Sequence, residues 1–291
     1  MHLKPVLLAL LLAAAGCGRT TRGDDRPDGE PPYSGYPRVV VGSGRSCLLD
    51  SAGRLACWGQ QLSSDEPPPR AFALVDFESS WCGLERDGTL SCWPTAEMNH
   101  VGAFPPGRYR AVSTRGMNAC GIRLDRTLVC WGHPQGGIND SPVGLFQDVA
   151  VGGSHVCAIR ADGTLVCWGS NSYGKANPPP GTFVQISSGG LMSCARNADN
   201  VVACWGAQET FGGIHNRQAR SVHTSGDRHA CIIELDGTLT CTGANDHLSH
   251  PPPGRFVQMD MGVEHACALR ADGSVACWGR DLYGETKPPG G

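Results

Sequence analysis

The chain has 291 residues, 40 of them glycine and 21 proline, well above the roughly 12% that the two residues make up on average. Such a composition speaks for many short turns and against long helices. Twenty-four Lys and Arg face 27 Asp and Glu for a net charge of −3. No basic block appears along the sequence, so nucleic acid is not an expected partner.

Residues 1–16 read as an export signal. Lys4 and the terminal amine give a positive start, and Val6 to Ala15 form an apolar run too short to span a bilayer. The ending Ala14-Ala15-Gly16-Cys17 resembles a bacterial lipobox, which makes Cys17 the expected lipidation site; ordinary secretory cleavage is the alternative. Residues 17–36 are polar, rich in Gly and Pro and nearly free of apolar side chains, so they read as a flexible stalk carrying the lipid.

From residue 37 to 291 the chain repeats itself. The second cysteines Cys57, Cys92, Cys130, Cys167, Cys204, Cys241 and Cys277 recur at steps of 35, 38, 37, 37, 37 and 36 residues. Each lies ten residues after a first cysteine: Cys47, Cys82, Cys120, Cys157, Cys194, Cys231 and Cys267. Seven pairs use fourteen cysteines, and the fifteenth is Cys17, which the signal peptide already explains. A fixed period of this size marks a repeat architecture. Each unit holds an apolar strand, such as Phe183–Ile186 or Phe256–Met259, then a cysteine hairpin, then a variable loop.

The turn sets the hairpin register. A three-residue loop Ala161-Asp162-Gly163 with a left-handed glycine pairs Arg160 with Thr164, Ile159 with Leu165 and Cys157 with Cys167. Opposed cysteines on antiparallel strands can bond in an oxidising compartment. Seven hairpin disulfides are therefore expected, with reduced core cysteines as the alternative. Only Asp125-Arg126 lacks a residue suited to positive φ, which predicts a strained or different turn there.

Both faces of the hairpin strands are apolar, so both must be covered. The chain ends at Lys287-Pro288-Pro289-Gly290-Gly291, the segment that precedes the strand in other units, and after the stalk it starts with that strand at Val39-Val40-Val41. The expected fold is an all-β, seven-bladed propeller closed by the N-terminal strand completing the last blade. The short period predicts a brief or absent outer strand. Trp58, Trp93, Trp131, Trp168, Trp205 and Trp278 should fill the space between blades. The second and sixth units, with Pro94 and Thr242 at irregular positions, should be the less regular ones. His155, His229 and His265 share one repeat position, which points to a repeated hydrogen bond rather than a metal site.

The pattern H-x-C-A-[LI]-x-x-D-G-[TS]-[LV]-x-C-W-G, present at His155–Gly169 and His265–Gly279, resembles repeats of the regulator of chromosome condensation family. The short period is similar to its compact bacterial branch, which includes a propeller-type β-lactamase inhibitory protein. The resemblance implies a propeller whose rim binds another protein. Only Trp81 is a large aromatic in the loops before the first cysteines, which speaks against β-lactamase inhibition.

The leading expectation is a monomeric, non-catalytic interaction module without cofactor or metal. Its membrane contact is through the lipid anchor only, at the bacterial outer membrane or surface; simple secretion is the alternative. Its protein partner is unknown. Candidate contacts are Arg45, Trp81, Met117, Arg228, Tyr173, Phe211 and Tyr283, the last three with local packing as the favoured role. The alternatives are a secreted enzyme inhibitor, or a hydrolase or lyase with its site at the central channel mouth. No G-x-S-x-G, H-E-x-x-H or phosphate loop is present.

Overall fold

A computed structural model describes residues 37–60, 67–77, 81–93, 104–133, 135–207, 212–226, 228–243 and 247–289. They form seven three-stranded antiparallel sheets, each built from consecutive strands. The first blade holds β1 (Arg38–Val41), β2 (Arg45–Leu49) and β3 (Leu55–Gly59); the second β4 (Phe72–Phe77), β5 (Trp81–Glu85) and β6 (Leu90–Trp93). The third has β7 (Tyr109–Arg115), β8 (Asn118–Arg123) and β9 (Leu128–Gly132); the fourth β10 (Phe146–Val151), β11 (His155–Arg160) and β12 (Leu165–Gly169). The fifth has β13 (Gln185–Ser188), β14 (Met192–Arg196) and β15 (Val202–Gly206). The sixth has β16 (Ala219–Ser225), β17 (His229–Glu234) and β18 (Leu239–Thr242), and the seventh β19 (Gln258–Met261), β20 (His265–Leu269) and β21 (Val275–Gly279). One central cavity touches the first strand of every blade, at Val41, Asp76, Thr114, Val151, Ser187, Thr224 and Asp260. That is a seven-bladed ring, as expected, and no blade has a fourth strand among the described residues.

The closure differs from the expected one. β1 does not join the last sheet; it pairs with β2, placing Val40 opposite Cys47, and the last sheet is complete with its own strands. The ring shuts by side-chain bonds across the seam instead. The Val39 amide donates to Gln258 Oε1 at 2.8 Å, and the Val41 amide to Asp260 Oδ2 at 2.8 Å. Inner strands present a bare hydrogen-bonding edge to the channel, and the same device covers it elsewhere. Thr114 donates to Asp76, Val151 to Ser113, Ile186 to Asp148, Val222 to Gln185 and Thr224 to Ser187. The second, third, fourth and fifth blades each supply side-chain acceptors to the next blade in this way, and the seventh supplies them to the first.

The hairpin register is the expected one. Cys157 opposes Cys167, Ile159 opposes Leu165, and the Arg160 amide donates to the Thr164 carbonyl at 2.8 Å. All seven cysteine pairs are disulfide-bonded, with Cα atoms 4.0–4.1 Å apart. The Asp125-Arg126 turn keeps its type, and Arg126 takes the left-handed conformation at φ 68°, a strained place for a side chain. The apolar strands begin later than the sequence implies, at Gln185 and Gln258. The Phe183 amide goes to the Gly163 carbonyl of the preceding blade's turn at 2.8 Å, and that of Phe256 to Gly237 at 2.7 Å.

The tryptophans pack between blades, as expected. Trp58 joins Val39, Val41, Cys267 and Leu269 across the seam. The indole N–H groups of Trp58, Trp168, Trp205 and Trp278 donate to carbonyls of the preceding blade, at Glu285, Ile138, Lys175 and Leu248. In the second and sixth blades the outermost strand has four residues rather than five, the irregularity that Pro94 and Thr242 predict.

Candidate interaction faces

Strand polarity gives the ring two faces. On the upper face lie the connections from inner to middle strands and the start of each loop after the outermost strand. On the lower face lie the cysteine-hairpin turns. The channel between them is narrow, with space for water-sized molecules of about 50 Å3.

The channel is polar, but its polar groups have structural work. Asp76, Asp260, Gln185 and Ser187 hold amides of the neighbouring blade. His223 bonds Ser221 at 3.2 Å, and Arg115 reaches the Ser188 carbonyl two blades on at 3.3 Å. Among the described residues no group of three or more His, Cys, Asp or Glu is placed to hold a metal ion.

The repeated histidine makes the expected repeated bond in two blades. His155 Nε2 lies 2.7 Å from Ser193 Oγ, and His265 Nε2 lies 2.8 Å from Ser46 Oγ, each serine one blade on. In the sixth blade His229 has Ala266 at the corresponding place. Burial holds the His155 imidazole down at about 3, helped by the charges of Lys175 and Arg115. Burial also lowers His265 to about 4, against the opposing pull of Glu285, Asp281 and Glu264. Both rings are neutral locks between blades.

The expected contact residues divide. Met117, Tyr173 and Tyr283 are 46%, 64% and 53% exposed, and Arg228 is exposed on the same upper face; the four belong to the third, fourth, seventh and sixth blades in turn. Both tyrosines, for which the sequence favours local packing, are more than half exposed, and the Tyr283 ring lies beside Gly44. Arg45 and Trp81, at 7% and 3% exposure, are buried. They are not loop residues but the first residues of β2 and β5. The Arg45 guanidinium lies 5.3 Å from the Trp81 ring, and Trp81 stacks on Trp93 at 5.5 Å. Phe211 and Cys17 lie outside the described residues.

Two upper-face residues escaped the sequence reading, Val263 and Leu282, both exposed. With Tyr283 they neighbour in sequence the Glu264–Arg280 ion pair, closed at 2.6 Å. A methyl placed on Gly44 would meet the Tyr283 ring at 3.4 Å, so this patch lies over the seam between the seventh and first blades. Their signal was an apolar side chain in a loop with no strand periodicity. On the lower face Leu124, Val143 and Leu145 are exposed in the same way.

The seven disulfides speak for an extracellular or otherwise oxidising compartment. Among the described residues no helix is long and apolar enough to cross a membrane.

Comparisons with known proteins agree with this fold. The chain is similar to the CRINKLY WD40 ectodomain of the Arabidopsis thaliana receptor kinase ACR4, at 21% identity and TM-score 0.71, over 86% of this chain and 96% of that one. It is similar to the entire ectodomain of the Physcomitrella patens receptor kinase CR4, at 21% identity and TM-score 0.69, over 84% and 73% of the two chains. It is also similar to Saccharomyces cerevisiae Prp20p, a protein studied for its binding to Gsp1p and histones, at 15% identity and TM-score 0.60, over 85% and 83%. No curated protein sequence matches. Residues 146–175 and 256–285 match the model of the regulator of chromosome condensation (RCC1) repeat. These segments run from the inner strand through the cysteine hairpin to the following turn in the fourth and seventh blades, so two of the seven blades match this repeat.

Proposed function

We propose that this chain is a non-catalytic protein-binding propeller, held at a bacterial envelope membrane by lipid on Cys17 and presenting its upper face to a protein partner. In this reading residues 1–16 are removed on export, and residues 17–36 tether a propeller of residues 37–291. The observation that carries it is that exposed Met117, Arg228, Tyr173, Val263, Leu282 and Tyr283 all lie on one face. Tyr and Arg are enriched among residues that dominate binding energy, and loops over a stiff scaffold are where recognition concentrates. Prp20p, similar in fold, is seen bound to Kap60. The polar channel supports the same reading, because its acids and amides are engaged with strand edges.

The test has two arms. Intact mass of the protein from the native membrane fraction should show a diacylated or triacylated Cys17, with Cys17→Ser released into the soluble fraction. Cross-linking in the native envelope should recover a partner with wild type and lose it with Tyr283→Ala/Leu282→Ser. A partner retained by that variant, or an unmodified Cys17, would overturn the corresponding half of the proposal.

A further inference from the structure

The lower face of the third and fourth blades gathers arginines that the sequence scatters. Arg108, Arg123, Arg126 and Arg160 end strands or sit in turns there. Arg110, half-buried, is the extra residue of a bulge between Tyr109 and Ala111 at the lower end of the same strand. Backbone bonds make the region continuous. The Leu124 amide donates to the Arg108 carbonyl at 3.0 Å, the Phe146 amide to Arg126 at 2.9 Å, and the Ala161 amide to Leu145 at 2.8 Å. Arg160 Nη1 reaches the Val143 carbonyl at 3.2 Å.

Among the described residues, three acids, Asp87, Asp125 and Asp162, stand against five arginines in this sector. Asp87 lies 3.6 Å from Arg108. Asp125 and Asp162 turn their carboxylates onto Thr127 and Thr164 and also face the charges of Arg123 and Arg160. Among the arginines project Val143, 96% exposed, and Leu145 and Leu124, each about half exposed. The same face carries Arg38, the first residue of β1, so the segment preceding the propeller departs from it.

We propose that this sector docks on an anionic phospholipid surface. Arginines at the headgroup level attract the lipid phosphates, and three aliphatic side chains enter the boundary with the acyl chains. Exposed aliphatics set among cations gain nothing from a nucleic-acid backbone, and all three exposed apolar residues of the sector are aliphatic, with no face on which a base could stack. A membrane therefore fits better than a polynucleotide. This docking is separate from the lipid on Cys17 and from the upper-face partner. It would fix the propeller's orientation, with the upper face directed away from the bilayer.

The test is hydroxyl-radical footprinting of the full chain on phosphatidylcholine vesicles, with and without phosphatidylglycerol. The N-terminal segment can hold the chain on both, so the footprint reads the face rather than the tether. Leu124, Val143 and Leu145 should be protected by about fivefold or more on the anionic vesicles and not on the neutral ones. Protection should disappear in Arg110→Gln/Arg126→Gln with the unfolding midpoint preserved, while Tyr173 and Tyr283 stay reactive throughout. Equal reactivity on both vesicles, or protection of the tyrosines instead, would overturn the proposal. So would a duplex DNA that displaces the vesicles and gives the same footprint.

Discussion

Asp260 in the seventh blade accepts the Val41 amide of the first blade at 2.8 Å, and Asp76 does the same for Thr114 between the second and third blades at 3.1 Å. The seam between the seventh and first blades is thus built like an internal junction. Gln258 adds a second bond there, accepting from the Val39 amide and donating to the Val39 carbonyl at 3.1 Å. Removing a buried acceptor strands its donor, at a cost of about 1–3 kcal/mol. Gln258→Ala should lower the urea unfolding midpoint about as much as Gln185→Ala, which breaks the equivalent bond between the fifth and sixth blades. A seam variant with no shift would show that the junction carries no stability.

Arg126 occupies a left-handed position at φ 68° where most repeats place glycine. The left-handed conformation costs a side chain about 1–2 kcal/mol, partly offset by glycine's greater freedom in the unfolded chain. Arg126→Gly should therefore raise stability by about 0.5–1 kcal/mol, read from equilibrium unfolding. Gly163→Arg should have the opposite sign.

His155 and His265 are held at about 3 and about 4 against an ordinary value of 6.5. Between those values and 6.5 the unfolded chain binds the protons and the folded chain does not. Stability is therefore full above pH 6.5 and falls on acidification, by up to about 1.4 kcal/mol per pH unit for each histidine. The turn aspartates Asp50, Asp87, Asp125, Asp162, Asp236 and Asp272 are lowered by hydrogen bonds within their own turns. They act in the same direction, but only as pH falls through the carboxylate range. Substituting His155→Gln and His265→Gln should flatten the profile between pH 6.5 and 4. An unchanged slope would place the acid sensitivity elsewhere.

Each disulfide closes a loop of about ten residues, worth at most about 2.7 kcal/mol by chain entropy. The hairpin's own residual structure reduces that. Cys157→Ala/Cys167→Ala should cost about 1–2.5 kcal/mol and leave the ring closed, with the other six pairs intact by non-reducing mass analysis. Loss of all folded signal would mean that the staples hold the blades together rather than trimming each hairpin.

The hairpins were legible in the sequence because a local turn fixes them. Asp162-Gly163 sets the pairing, and Cys157 must then face Cys167. The order of blades followed from the period. The belt around the channel was not legible. Its acceptors are Asp, Gln and Ser by turns, and their partners lie about 37 residues on or at the other end of the chain. Strand closure was read from chain ends alone, which fit either a shared sheet or a capped seam. Arg45 and Trp81 were placed in loops because strand starts are blurred by one residue, and one residue decides whether a side chain is rim or core. The basic sector was invisible for a related reason: Arg108, Arg126 and Arg160 meet only after the ring has formed.

Hydrogen exchange at the Val39 and Val41 amides, followed by NMR, tests the closed ring most directly. A ring sealed by Gln258 and Asp260 predicts protection matching that of Val151 and Val222 at internal junctions, with loss at Val39 in Gln258→Ala. Exchange at Val39 and Val41 near the rate of a free strand edge, with Val151 and Val222 still protected, would mean the first and seventh blades do not meet.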